Sequence, residues 1–295
     1  MNKFTRTLTN PVRWVIKTVS PKAFVKLQYK TITGHKLDLK NPTRYTEKLQ
    51  YLRLFAYPKD KLVCKCAGRV GVREYVTQKG YEKLLIKTYG VFDSFDEIDF
   101  AYLPTQCVIK TTHSSQMNHI CWDINKEDKK ALRKKFNKYL RTNYGKKTCE
   151  PHYSKIKPQI LVEKLLLEND TTPIEYKIHC FNGVAKSMYI VTGRGKDIRY
   201  TNYYIDWKRF DGSQFNGWKS ADKDIEKPSN WDEMVKIAED LAKPFPFVRV
   251  DLYNINGRIY FSELTFTPAK GTLKFDDDKA DFEMGEWLQI NTKQN

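Results

Sequence analysis

The stretch from Phe245 to Pro268, FPFVRVDLYNINGRIYFSELTFTP, constrains this chain most. Apolar and polar residues alternate on both sides of an Asn-Gly pair, the pattern of an antiparallel hairpin with one buried face. Val248, Val250 and Leu252 alternate with Arg249, Asp251 and Tyr253; on the return, Tyr260, Ser262, Leu264 and Phe266 alternate with Phe261, Glu263 and Thr265. Register decides which polar groups meet. A two-residue Asn256-Gly257 turn would pair Asp251 with Ser262 and send Glu263 to the opposite face. A three-residue loop, Ile255 to Gly257, with Gly257 left-handed in a bulge, gathers Arg249, Asp251 and Glu263 on one face. We expect the second. Two carboxylates so placed can hold Mg²⁺, which takes oxygen ligands and keeps phosphate oxygens in its remaining positions. Arg249 would then steady charge on a transferring phosphoryl group. A surface salt bridge is the plainer alternative.

Upstream, IEYKIHCFNGVAKSMYIV holds two further alternating runs around Asn182-Gly183, a second hairpin. Between the hairpins, Ser229 or Asn230 caps a helix through Ala242 that turns Met234, Ile237 and Leu241 inward, and Pro244 and Pro246 stop it. Cys107 to Lys110 and Ile160 to Leu167 suggest buried strands. Helices are expected after Asn41, with Thr43 as cap, from Val70 to Lys79, and from Asn125 to Tyr144 with Leu132, Phe136, Tyr139 and Leu140 inward. Helices mixed with antiparallel pairs make the class α+β.

The chain has 295 residues, with 52 Lys+Arg against 35 Asp+Glu, a formal net charge of +17. That length can bury a real core, and 14% aromatics exclude a disordered basic chain. The charge asks for an anionic partner: nucleic acid, phosphorylated ligand, acidic polysaccharide or anionic membrane. Much of it lies in residues 1–40, where Pro11 and Pro21 punctuate two short helices; these either pack on the body or lie on a bilayer. No apolar run is long enough to span a membrane. The six cysteines form no C-x-x-C pair, and the start lacks the apolar core of a signal peptide, so a cytoplasmic protein with reduced, buried thiols is expected.

Three features add to the last hairpin. Lys110 ends an apolar strand, and the polar loop Thr111 to Ser115, including Ser114 and Ser115, could offer donors to phosphates. Glu163 sits inside an apolar strand, where its charge needs an amine or a buried lysine. Arg69 and Arg73 form a cationic pair facing one way on a helix.

Together these residues resemble the ATP-grasp superfamily, and within it the TupA-like branch of teichuronopeptide, capsular and exopolysaccharide gene clusters. The likeness rests on Asn41-Pro42 with Thr46 to Gln50, Val72 to Val76, Val91 with Asp93 to Phe100, Tyr176-Lys177 with Cys180 to Gly183, and Phe245 to Pro268. It covers Asn41 to Leu288 and leaves out residues 1–40. It implies a fold of two antiparallel-sheet lobes clasping a nucleotide. The corresponding division is a basic segment 1–40, a helical part 41–104, a nucleotide-grasping subdomain 105–168 and a C-terminal lobe 169–295. It also implies ATP and Mg²⁺ as cofactors. Lys110, with Arg69 or Arg73 and the loop at Ser114 and Ser115, would contact the phosphates. Glu163 would accept from the adenine amino group beside the hinge of Lys164 to Leu166, with Glu168 near the ribose. Lys177 would line the phosphate end, Asp251 and Glu263 would ligate Mg²⁺, and Arg249 would stabilise the transferring phosphoryl. Relatives carry a glycine-rich loop, approximately HGSGGN, where this chain has His113 to Asn118 without glycine, and Asp-Lys where it has Gly68-Arg69.

The implied activity is an ATP-dependent carboxylate–amine ligase forming an amide through an acyl phosphate. An acidic polysaccharide or uronic-acid glycan intermediate and an amine or amino acid are the implied substrates, met near the inner face of the membrane. The alternative is a glycosyltransferase using a nucleotide-sugar, whose structural mark would be a Rossmann-like parallel sheet. A specific nucleic-acid partner is not expected, since no recognised motif is present.

Overall fold

The computed structural model describes residues 10–210 and 217–292. Among them, nine strands form two sheets: β1 (Thr88–Phe92), β2 (Cys107–Thr111), β3 (Asn118–Cys121) and β4 (Ile160–Lys164) in the order β1-β4-β2-β3, then β5 (Glu175–Phe181), β6 (Val184–Thr192), β7 (Arg199–Tyr204), β8 (Phe247–Ile255) and β9 (Arg258–Thr265) in the order β7-β6-β5-β8-β9. Every adjacent pair in both sheets is antiparallel. The α+β architecture with two antiparallel sheets is therefore as expected. The first sheet takes β1 from the segment 41–104, so it extends beyond 105–168.

The helices are α1 (Asn10–Val19), α2 (Pro21–Thr33), α3 (Tyr45–Tyr51), α4 (Lys61–Cys66), α5 (Gly71–Gln78), α6 (Lys129–Leu140), α7 (Tyr144–Thr148), α8 (Trp231–Ala242) and α9 (Asp278–Trp287). Residues 1–9 of the basic segment lie outside the described residues, as do the side chains of Val12 and Trp14. The second helix of that segment packs on the body. Val25 and Tyr29 of α2 are fully buried, and the Tyr29 hydroxyl shares a 2.7 Å hydrogen bond with Thr46 Oγ1.

Helix bounds departed from the sequence reading where caps intervened. The expected helix over 125–144 is α6 and α7, because Asp128 accepts from the amides of Lys130 and Ala131, and Asn143 caps a new turn. Leu132 and Phe136 do face inward, against Cys107, Ile109, Ile160 and Val162. At α3 the cap position is Arg44, not Thr43, and the Glu47 carboxylate reaches back to accept from the amides of Asp38, Thr43 and Arg44. Helix α8 buries Met234, Ile237 and Leu241 as expected, but Asn230 does not cap it with its side chain. That amide donates to Gly257 O at 2.9 Å and accepts from Asn254 Nδ2, tying the helix start to the last hairpin's turn.

Both hairpins close on a two-residue Asn-Gly turn with positive φ at each residue: Asn182 49° and Gly183 84°, Asn256 50° and Gly257 79°. This is the turn whose twist matches the strands. The three-residue loop expected at Ile255 to Gly257 is absent; Ile255 pairs directly with Arg258. The extra residue enters later. Leu252 pairs with Phe261 but Asp251 pairs with Glu263, so Ser262 is the bulged residue and Asp251 faces Glu263 after all. A Cβ on Gly257 would meet nothing within 4 Å. Gly257→Ala therefore isolates backbone strain and should cost about 1–2 kcal/mol, seen as a lower urea midpoint at unchanged slope.

Candidate active site between the sheets

Alternation splits the five-stranded sheet into an apolar and a polar face. Ile178, Cys180, Val248, Val250, Leu252 and Leu264 pack into the main core with α8. On the other face, register places Tyr189, Lys177, Asp251 and Glu263 in one row across β6, β5, β8 and β9, with His179, Arg249 and Thr265 in the next.

The row is a dense charge network. Arg249 donates through Nε and Nη2 to both oxygens of Asp251 at 2.6 and 2.7 Å, and through Nη1 to the Tyr189 hydroxyl at 2.7 Å. Its Nη2 also reaches Thr265 Oγ1 at 3.0 Å and Glu263 Oε1 at 3.3 Å. Lys177 pairs with Asp251 and with Glu175 Oε2 at 2.8 Å, and Arg194 closes on Glu175. Burial is the largest influence on Lys177 and Arg249 and would lower their pKa values, but Asp251 together with Glu175 and Tyr189 raises Lys177, and Asp251 together with Tyr189 and Glu263 raises Arg249. Burial would likewise raise Glu175, but Lys177 and Arg194 bring it below the ordinary range. Of the two facing carboxylates, Asp251 is 1% exposed and Glu263 38%. Oxygen donors on adjacent strands are the type a small hard cation takes. In this structure, however, both Asp251 oxygens are engaged by Arg249 and Lys177, and Arg249 would have to yield one for a cation to reach it.

His179 lies beside this network and behaves differently. Burial, then the positive charges of Arg249 and Lys177, push it down to about 3; burial, then Arg53, does the same to His152. Their folded values are depressed, so the unfolded chain binds the extra protons. This contribution is complete above the unfolded value of about 6.5 and is lost as pH falls toward 3. His179→Gln should reduce the proton uptake on unfolding between pH 4 and 6 by close to one, measured from denaturation midpoints across that range.

The four-stranded sheet supplies the facing wall. Register brings Val108, Lys110, Leu161 and Glu163 to its cleft side, and Lys110 and Glu163 form an ion pair there. That pair is the plainer partner the sequence offered for Glu163. Arg73 on α5 donates to Ile86 O at 2.6 Å, and burial lowers its pKa. Arg69 is not on that helix; it lies in the preceding turn and donates to the carbonyls of Thr111 and Ser114. It thereby shapes the 112–117 loop, where Gln116 has φ of 63°.

Two connected cavities lie between the sheets. One, about 340 Å³, is bounded by Val108, Lys110, Glu163, Lys164 to Leu166, Arg73 and Lys177. The other, about 820 Å³, is bounded by Arg249, Ser114, Lys147, Lys270 and the aromatic group Tyr189, Tyr200 and Trp218. Arg69, Ser115, Lys177 and Glu263 border both. Of the expected site residues, Asp251 and Glu168 are the exceptions. Asp251 is 1% exposed and lies behind Arg249 and Lys177, lining neither cavity. Glu168 lies apart: its backbone closes a turn with Thr171, and its side chain is not among those lining either cavity.

Sequence reasoning missed Glu175, Tyr189 and Arg194. Glu175 shares strand parity with Lys177 and His179, so the polar set on β5 was visible in the alternation. Arg194 sits in a glycine-flanked loop and left no such signal.

The protein family described as TupA-like ATPgrasp matches residues 47–289. No curated protein matches the sequence. Among solved structures, the chain is similar to D-alanine–D-alanine ligase from Bacillus anthracis complexed with ATP, at 12% identity and TM-score 0.44, covering 70% of this chain and 56% of that one. It is also similar to the ADP complex of N5-carboxyaminoimidazole ribonucleotide synthetase, at 15% identity and TM-score 0.44, covering 75% and 50%. L-amino acid ligase from Bacillus licheniformis follows at 12% identity and TM-score 0.42, covering 71% and 42%. The chain thus matches about half the length of these structures. With the family match running over most of the sequence and the cleft built between two antiparallel sheets, this chain belongs to the TupA-like ATP-grasp family.

Proposed function

We propose that this chain is an ATP-dependent ligase that joins a carboxylate to an amine. A substrate carboxylate oxygen would attack the γ-phosphorus of ATP and expel ADP; the amine would then attack the acyl carbon, expel phosphate and lose a proton. The observation that carries this reading is one charge network at the wall between the two cavities: Lys177 and Glu263 border both, Arg249 borders the larger, and the buried Asp251 holds Arg249 and Lys177 from behind.

In this reading the smaller cavity takes the nucleotide. Glu163, with the backbone of Lys164 to Leu166, would receive the adenine, and Lys110, Arg69, Arg73 and the Ser114–Ser115 loop would face the phosphates. Asp251 and Glu263 would hold Mg²⁺, which neutralises phosphate charge when bound. Arg249, now on both carboxylates, would turn a donor edge to the phosphoryl oxygens, and Lys177 would hold the far side of Asp251. Positioning and charge stabilisation are the main protein contributions to such a transfer.

The larger cavity would take the acid and the amine. Trp218 stacks on Tyr200 with centroids 4.1 Å apart, and Tyr189 stands beside them. Aromatic faces with Lys147 and Lys270 nearby support an anionic sugar, as in a uronic-acid glycan intermediate of a surface or capsular polysaccharide. Exposed Val15 and Val19 on α1, in a lysine-rich segment, support contact with an anionic membrane surface. No helix among the described residues is long and apolar enough to cross a membrane. The glycosyltransferase alternative called for a parallel sheet, and both sheets here are antiparallel.

The test is ADP release with ATP, Mg²⁺ and panels of uronic acids and amino acids. Release that requires both an acid and an amine is the expected result; none with any pair, despite tight Mg·ATP binding, would overturn the proposal. A thermal shift given by ATP but not by UDP- or GDP-sugars, and lost in Glu263→Gln, separates it from the transferase.

A further inference from the structure

Strands β2 and β3 turn Val108, Lys110, Asn118 and Ile120 to the cleft. Their reverse face carries a second group of reactive side chains. Cys107 lies directly across from Cys121, and both are fully buried. His119, two residues before Cys121, shares its face and meets Glu127 at 2.8 Å between Nε2 and Oε2. Glu127 enters from the loop just ahead of α6. Ligand atoms of His119, Cys121 and Glu127 lie within 4.8 Å of one another.

We propose that Cys107, His119, Cys121 and Glu127 form a structural zinc site fastening β3 to the start of α6. Two thiolates, an imidazole and a carboxylate are a tetrahedral donor set for zinc, whereas Mg²⁺ takes oxygen ligands alone. Four protein ligands leave no open position, which marks a structural site and not a catalytic one. There is also a mechanical reason for a clamp at this place. Strand β3 has four residues, lies at the sheet edge and, among the described strands, pairs with β2 alone, yet Asn118 and Ile120 on it line the cleft. A metal bound through His119 Nε2 leaves the ring proton on Nδ1. Lys135, whose Nζ is 3.4 Å from Nδ1, would then give up that hydrogen bond and remain as a neighbouring positive charge. Two thiolates and a carboxylate around Zn²⁺ carry one net negative charge, which Lys135 is placed to offset.

The experiment uses the untagged full chain, purified with reductant and without chelator. Elemental analysis should find one zinc per chain. Exchange with Co²⁺ should give a thiolate-to-metal absorption band that is lost in Cys121→Ser and in His119→Ala and retained in Cys64→Ser, whose sulfur lies on α4. Chelation should lower the melting temperature of the wild type and leave that of Cys121→Ser unchanged. A wild-type chain with reduced thiols, no zinc and no cobalt band overturns the proposal even if the variants fail to fold. A band of undiminished intensity in His119→Ala and Cys121→Ser overturns it as well.

Discussion

Asp251→Ala is expected to lower the unfolding free energy by about 3–5 kcal/mol, the usual result of removing one partner from a buried charge pair. Asp251 is 1% exposed and accepts from both Arg249 and Lys177, which are themselves nine-tenths buried. Its removal leaves Lys177 with Glu175 alone and Arg249 without its close carboxylate, both side chains being only 9% exposed. Glu263 offers little relief, since it reaches Arg249 only at 3.3 Å. Asp251→Asn keeps the shape and one carbonyl acceptor and should cost less than Ala. Equilibrium urea denaturation of the three chains gives the comparison. A loss below about 1 kcal/mol for the alanine variant, within the range of surface ion pairs, would show that the two cations find solvent without Asp251.

The second large effect is catalytic. Arg249→Lys should reduce amine-dependent ADP release by about 10²–10³-fold, the range for removing one preorganised donor from developing charge. Lysine keeps the charge but lacks the planar fork that lets Arg249 hold both Asp251 oxygens, Tyr189 and Thr265 together. Under the proposed function the loss appears in kcat at saturating ATP, with circular dichroism unchanged. An equal rate in the lysine variant would remove Arg249 from phosphoryl stabilisation and leave it a structural anchor for Asp251.

The last hairpin shows how far sequence reasoning went. Two Asn-Gly turns and their alternating flanks were visible, and so were Arg249, Asp251 and Glu263 on one face. The device that joins them was misplaced, although a signal for it existed. Apolar residues on the return strand fall at Ile259, Phe261, Leu264 and Phe266, so the spacing of two becomes three between 261 and 264. That break is the bulge at Ser262. Treating the strand as evenly alternating put the extra residue in the turn instead.

Other features had no local signature. Arg69 was grouped with Arg73 on a helix, but the helix begins at Gly71 and Arg69 instead braces the loop after β2. The Lys110–Glu163 pair needs β2 beside β4, residues 53 apart in sequence. His119, Cys121 and Glu127 were passed over because no C-x-x-C spacing announced them; only the β2–β3 register and the approach of α6 gather them with Cys107.

By itself, the sequence determined the strand and helix periods, the Asn-Gly turns, the residues able to carry charge in the cleft, and the family resemblance. These depend on local geometry, because side chains two apart on a strand or three to four apart on a helix share a face whatever lies around them. Tertiary structure alone decided which charges meet. Partners such as Lys177 and Asp251, 74 residues apart, are chosen by strand order and register, and those are set by burying one apolar face of each sheet across the whole molecule.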